Sequence, residues 1–197
     1  MSIRGSIKAG LLPAALVALA AGASQGAIIV YGANLDGPSE SPPNGSPGVG
    51  TTTVTVDTAA HTMRVEVSFS GLVAGTTASH IHAATTVPGT GTAGVATTTP
   101  TFAGFPLGVT SGSYDNLLDM TLASSYNPSY VTAHGGTTAT AEADLFQAIA
   151  EGRAYLNIHS SAFPGGEIRG FLTLVPTPGA VALMGLGGVA AMRRRRN

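Results

Sequence analysis

The segment His80-Ile81-His82 sets two imidazoles two residues apart. In an extended strand, residues i and i+2 face the same side with their backbones about 7 Å apart, so both rings can converge on one metal ion while Ile81 turns the other way into a core. A third histidine, His159, ends the run Tyr155-Leu156-Asn157-Ile158, and a sandwich of strands can bring it beside the first pair. Neutral imidazole suits copper or zinc, which makes His80, His82 and His159 the candidate metal ligands and copper or zinc the candidate cofactor. The same rings could instead bridge loops by hydrogen bonds with no metal at all. His61 falls in a tight turn and is expected to be solvated, and His134, before Gly135-Gly136, is a candidate for a fourth ligand.

A second cluster reads Pro164-Gly165-Gly166-Glu167-Ile168-Arg169-Gly170. Glu167 and Arg169, again i and i+2, would share a face near His159, where a carboxylate could hold the outer ring nitrogen of a ligand histidine. Alternatively they form a structural pair that fixes the final hairpin. Between Ile28 and Val175 no serine sits in a Gly-x-Ser-x-Gly elbow and no glycine loop has the phosphate-binding spacing. No catalytic residue is assigned on these grounds, and the glycines read as turn residues.

The elements that must position these groups read as strands. Ala27 to Leu35 is a first strand, followed by a loop from Asp36 to Gly48 that contains Pro38, Pro42, Pro43 and Pro47. Thr51 to Asp57 alternates Thr and Val, which places Val54 and Val56 on one face. After a turn at Thr58 to His61, Met63 to Ser70 turns Val65, Val67 and Phe69 inward, and the two strands are expected to pair as a hairpin. Ala78 to Ala83 carries the histidine pair. Thr85 to Gly112, thick with Thr, Pro and Gly, predicts a long surface connection with a strand at Gly94 to Thr98 and Phe102, Phe105 and Leu107 as anchors. Thr140 to Gly152 predicts one helix, with Leu145, Phe146, Ile149 and Ala150 on one face, Thr140 as cap and Gly152 after the last turn. Arg153 to His159 and Glu167 to Val175 supply the closing strands. The fold class expected is all-β, an antiparallel sandwich with Greek-key connections and one short helix.

The two ends have a different character. Residues 1–27 run from Arg4 and Lys8 through the apolar stretch Leu11 to Ala23 to small residues, the layout of a cleaved secretory signal. Residues 175–197 run from Pro176-Thr177-Pro178 through the apolar stretch Ala180 to Met192 to Arg193, Arg194, Arg195 and Arg196, a cluster that resists crossing a membrane outward. These ends hold six of the nine Lys and Arg residues, leaving Arg64, Arg153 and Arg169 against ten carboxylates. An acidic domain of about 150 residues is large enough for one core and ill suited to nucleic acid. It has no cysteine, so disulfides and thiol chemistry are excluded.

The tail resembles the PEP-CTERM sorting signal of Gram-negative bacteria, with Thr177 where that motif has Glu. The resemblance implies recognition by an exosortase-type enzyme after signal peptidase has acted, and a transient membrane contact through the tail. The strings Ser70-Gly71-Leu72, His80-Ile81-His82, Gly152, Tyr155 to His159 and Gly166 to Gly170, with Leu35-Asp36-Gly37, Glu40 and Pro42-Pro43 ahead of them, resemble the CHRD domain over 28–174. That family implies a β-fold in an extracellular setting. A fainter similarity, to copper/zinc superoxide dismutase, would make His80, His82 and His159 copper ligands, but this chain lacks that family's disulfide pair and its His-rich zinc loop. The function expected is a secreted binding or structural protein of the cell surface or extracellular matrix, with extracellular polysaccharide as a candidate partner. The alternative is a secreted copper/zinc enzyme of the dismutase type.

Overall fold

The computed structural model describes residues 26–176. The signal-type segment and the sorting tail, with Pro178 and Arg193 to Arg196, lie outside the described residues except for residues 26, 27, 175 and 176. The strands are β1 (Ile28–Asp36), β2 (Val49–Asp57), β3 (Thr62–Ser70), β4 (Thr76–His82), β5 (Gly112–Asp119), β6 (Tyr155–Ser160), β7 (Ile168–Phe171) and β8 (Thr173–Leu174). Two helices, α1 (Pro128–Ala133) and α2 (Thr138–Ala150), fall between β5 and β6.

All strands belong to one antiparallel sheet in the order β4-β6-β7-β1-β2-β3-β5, with β8 also on β1. The all-β expectation holds, in the form of a sheet curled into a half-barrel. Val54, Val56, Met63, Val65, Val67 and Phe69 are buried on one side of the β2–β3 hairpin, as the alternation of those strands requires. They share a core with Ile81, Leu156, Ile158 and Ile168 from the other end of the sheet. The seam is the last stretch of chain: Asp36 faces Arg169, Gly32 faces Thr173 and Tyr31 faces Leu174, while the other edge of β7 pairs with β6. Residues 168–174 therefore tie both halves of the sheet together.

Several local expectations are corrected. The helix starts earlier: Thr137 is the cap, its hydroxyl accepting from the Thr140 N–H at 3.2 Å, and Thr140 closes a capping box from the third helical position. Ala148 and Ala141 face the core in place of Ala150, which is exposed. The short helix α1 was not foreseen, although Asn127-Pro128 is a cap followed by a first-turn proline. Neither was β5, because the exposed Leu117 beside buried Leu118 hides its alternation. Gly94 to Thr98 makes only isolated bridges, Val95 to His82 and Thr97 to Tyr126. Phe102 and Phe105 do anchor the long connection, but Leu107 is exposed. Among the described residues no helix is long and apolar enough to cross a membrane.

The seam leaves no room for a side chain at Gly170, where a Cβ would fall on the Asn34 carbonyl and press on Ala33. Gly170→Ala is expected to destabilise the fold by about 1–3 kcal/mol through overpacking, read from the urea midpoint. An unchanged midpoint would contradict the close approach of β7 to β1.

Candidate metal centre

Strand β6 is buried along its whole length because both faces of the β4-β6-β7 ribbon are covered. Leu156 and Ile158 enter the core on one face. On the other, the register sets His80 beside Asn157 and Asn157 beside Arg169, with His82 beside Tyr155 and Ala78 beside His159. This second face is polar and lies beneath loop segments. The Gly91 and Ala93 carbonyls reach it from the connection after β4, Ser39 from the connection after β1, and Pro164 from the turn between β6 and β7.

The three histidines meet there. Ring centroids of His80 and His82 are 4.7 Å apart, those of His80 and His159 4.7 Å, and those of His82 and His159 6.1 Å. One nitrogen from each lies within 4.8 Å of the other two. The hydrogen bonds settle which nitrogens are available. His82 Nδ1 donates to the Ala93 carbonyl at 2.8 Å, so its Nε2 keeps a lone pair, and that buried atom has no partner among the described residues. His159 Nδ1 donates to the Pro164 carbonyl at 2.9 Å, so its Nε2 too is an acceptor. His80 Nε2 must then donate to His159 Nε2 across 2.9 Å, which leaves His80 Nδ1 buried and without a hydrogen bond of ordinary geometry, although the Pro100 backbone lies near it.

Three neutral rings, two with an Nε2 lone pair turned to a common point and the third able to join them once its proton moves to Nδ1, offer a donor set that could hold a metal ion such as zinc or copper. Bonds of about 2.0–2.1 Å would hold the nitrogens roughly 3.3 Å apart, so His80 and His159 would separate by a few tenths of an ångström and His82 would close in. The His80 Nε2 proton would be displaced by the ion, its loss balanced by protonation of the orphaned Nδ1.

Burial keeps the rings neutral. Desolvation, reinforced by the neighbouring histidines, lowers His80 to about 3. His82 falls to about 4, again mainly by burial, against the favourable Ala93 carbonyl and with the His159 and Arg169 charges adding to the shift. Burial lowers His159 as well, opposed by Pro164. This is the protonation state a metal requires.

The Glu167–Arg169 expectation is corrected. Glu167 supports no ring nitrogen: its Oε1 accepts from Ser46 Oγ and the Val73 N–H, both at 2.6 Å, and so ties the two loops beside β7. Backbone carbonyls take the role assigned to it. Nor does Glu167 pair with Arg169, whose carboxylate neighbour is Glu40, at 3.8 Å, with both side chains about 5% exposed. Burial drives the Glu40 carboxyl up to about 7, opposed by the Arg169 charge and by hydrogen bonds with Ser41 and Asn157. His134 lies apart from the triad, stacked on Tyr130 at 3.8 Å. His61 is half-exposed as expected of a turn, with φ +54°, and its Nδ1 also contacts the Glu142 carboxylate at 2.9 Å. Residue types and spacing did not single out Tyr155 or Asn157 on the polar face, since both sit in a run that reads as ordinary strand.

The low histidine values set a pH dependence. An unfolded chain protonates its histidines near pH 6.5, whereas the folded site resists until about 3 to 4, so the contribution of His80 and His82 is complete above pH 6.5 and is lost as pH falls through that window. Stability of the metal-free protein is expected to drop from pH 7 to pH 4, and His80→Ala with His82→Ala should flatten that slope. Glu40 acts oppositely: its contribution is present below about 4.5 and is lost as pH rises through about 7. Because its window overlaps that of the histidines with opposite sign, Glu40→Gln should steepen the rise of stability between about pH 4.5 and 6.5. Slopes of urea midpoint against pH that ignore these substitutions would contradict the burial of these groups.

Comparison with curated proteins gave no match, and neither did comparison with solved structures. The profile of the CHRD domain matches residues 31–172, a span that holds β2 to β7 and all of β1 but its first three residues, stops just short of β8, and takes in the whole histidine cluster and the Glu40–Arg169 pair, and on that match the chain belongs to the CHRD domain family.

Proposed function

We propose that this chain is an exported binding or structural protein of the bacterial surface or extracellular matrix, whose CHRD domain holds one copper or zinc ion at His80, His82 and His159. The observation that carries the metal reading is the convergence of three buried imidazoles, two of them with the outer nitrogen already held by a carbonyl. A buried polar atom left without a partner costs about 1–3 kcal/mol, and this cluster leaves two, His80 Nδ1 and His82 Nε2. A single ion would satisfy the second directly and free the first to take a proton that a water or carbonyl can accept. Its chemistry there is that of a pin: it joins β4 to the end of β6.

Export rests on the sequence of the two ends. The signal-type segment supports processing by signal peptidase, and the Pro-Thr-Pro tail with its apolar stretch and four arginines supports handling by an exosortase-type enzyme with a transient membrane stage. Extracellular polysaccharide is the partner proposed, in keeping with the exposed Thr, Ser and Asn side chains of the outer face of β1, β2 and β3.

The test is metal content of the exported protein after loading with Cu²⁺ or Zn²⁺ and dialysis, beside a variant with His80, His82 and His159 all changed to Ala. About one ion per chain is expected, with loss in the variant and an unfolding free energy raised by about 4 kcal/mol when free metal is near a thousandfold above Kd. No retained metal in either protein would overturn the metal reading. Three histidines leave a fourth coordination position, so superoxide turnover by the copper form would replace the structural reading with the dismutase-type one.

A further inference from the structure

The ring behind His82 is not held by the strand alone. Tyr155 lies parallel to it, with 5° between the planes and 4.7 Å between centroids. On β6 Tyr155 has β4 on one side and β7 on the other, and from the β7 side the Arg169 guanidinium carbon sits 4.6 Å from the same ring's centroid. The imidazole and the guanidinium therefore sandwich the phenol ring. Arg169 is itself fixed: its Nε donates to the Ser39 carbonyl and its Nη1 to the Gly91 carbonyl at 3.0 Å. Ala93, two residues after Gly91, accepts from His82 Nδ1 and donates its N–H to the Tyr155 hydroxyl at 3.3 Å.

We propose that Arg169, acting through the Tyr155 ring, is the positioning residue that fixes His82 as a metal ligand and couples that ligand to the loops after β1 and β4. The inference rests on the metal reading above. A guanidinium suits this place because it is planar, is always charged and can bond two carbonyls while covering a ring, whereas an ammonium presents one compact charge. The buried Glu40 carboxyl lies 3.8 Å from the Arg169 Nε. The fixed charge behind Tyr155 also disfavours protonation of His82, in keeping with the direction of that group's shift. Removing the guanidinium or the ring would leave His82 its Ala93 hydrogen bond but not its orientation.

The experiment compares Zn²⁺ affinity, by competition with a chelator, and the Cu²⁺ electron paramagnetic resonance spectrum across five forms: wild type, Tyr155→Phe, Tyr155→Leu, Arg169→Lys and Arg169→Met. Tyr155→Phe keeps the ring but loses the hydroxyl that accepts from the Ala93 N–H, and should lose much less affinity than Tyr155→Leu. Tyr155→Leu and Arg169→Met should weaken Zn²⁺ binding tenfold or more, the scale of losses seen when a ligand's support is removed, with an altered copper spectrum. Arg169→Lys should recover part of the affinity. Wild-type affinity and spectrum in both Tyr155→Leu and Arg169→Met would overturn the proposal. If Arg169→Met does not fold, the tyrosine pair decides, and equal behaviour of Tyr155→Leu and Tyr155→Phe overturns it. A wild type that holds neither ion fails the metal reading and this inference with it, whereas metal binding indifferent to these variants fails this inference alone.

Discussion

Strand β6 has no solvent-facing side, and the rest of the molecule follows from how its two faces are satisfied. Leu156 and Ile158 need only apolar neighbours, which the curled sheet provides. Tyr155, Asn157 and His159 on the opposite face bring polar atoms into a dry layer, where each must find a partner or cost stability. The long loops after β1 and β4 answer that need. Their backbone carbonyls, at Ser39, Gly91 and Ala93, accept from the arginine and histidine side chains of the ribbon. The loops thus act as the second layer of the domain over β6, although they hold little regular structure.

What the loops leave unsatisfied is informative. Carbonyl acceptors fix the outer nitrogens of His82 and His159, which turns the remaining lone pairs inward to a common point. Burial keeps the rings neutral there. A core histidine with a purely structural role would have both nitrogens engaged, whereas His82 Nε2 is engaged by nothing among the described residues. Glu167, Ser46 and the Val73 N–H meanwhile brace the neighbouring loops against β7, so that the turn carrying the Pro164 carbonyl and the loop carrying Ser39 are held from two sides. Support for the three histidines is built from backbone and rings, with the carboxylates placed further out.

Much of this was legible in the sequence. The alternation in Thr51 to Asp57 and Met63 to Ser70 fixed the hairpin and its inward face, and the i, i+2 spacing of His80 and His82 placed both on the side opposite Ile81, which is fully buried. His159 at the end of its strand could be put near them only by assuming the strands met, and β4–β6 pairing supplies that contact. The support of the rings was not legible, because a backbone carbonyl carries no residue-type signature and Ala93 or Pro164 could not be singled out by composition. Glu167 and Arg169 misled for a related reason: their shared spacing suggested a pair, but Glu167 precedes β7 and reaches Ser46, while Arg169 reaches across to Glu40. Strand β5 escaped because Leu117 faces solvent.

The most direct measurement of the central claim is a crystal structure of the domain soaked with Zn²⁺, collected at the zinc edge so that the ion is located by its own scattering. The account predicts one peak within about 2.0–2.1 Å of the Nε2 atoms of His80, His82 and His159, with Ala93 and Pro164 still accepting from the outer nitrogens. A zinc peak elsewhere with the triad bridged by a water, or the His80–His159 hydrogen bond intact in saturating metal, would contradict it.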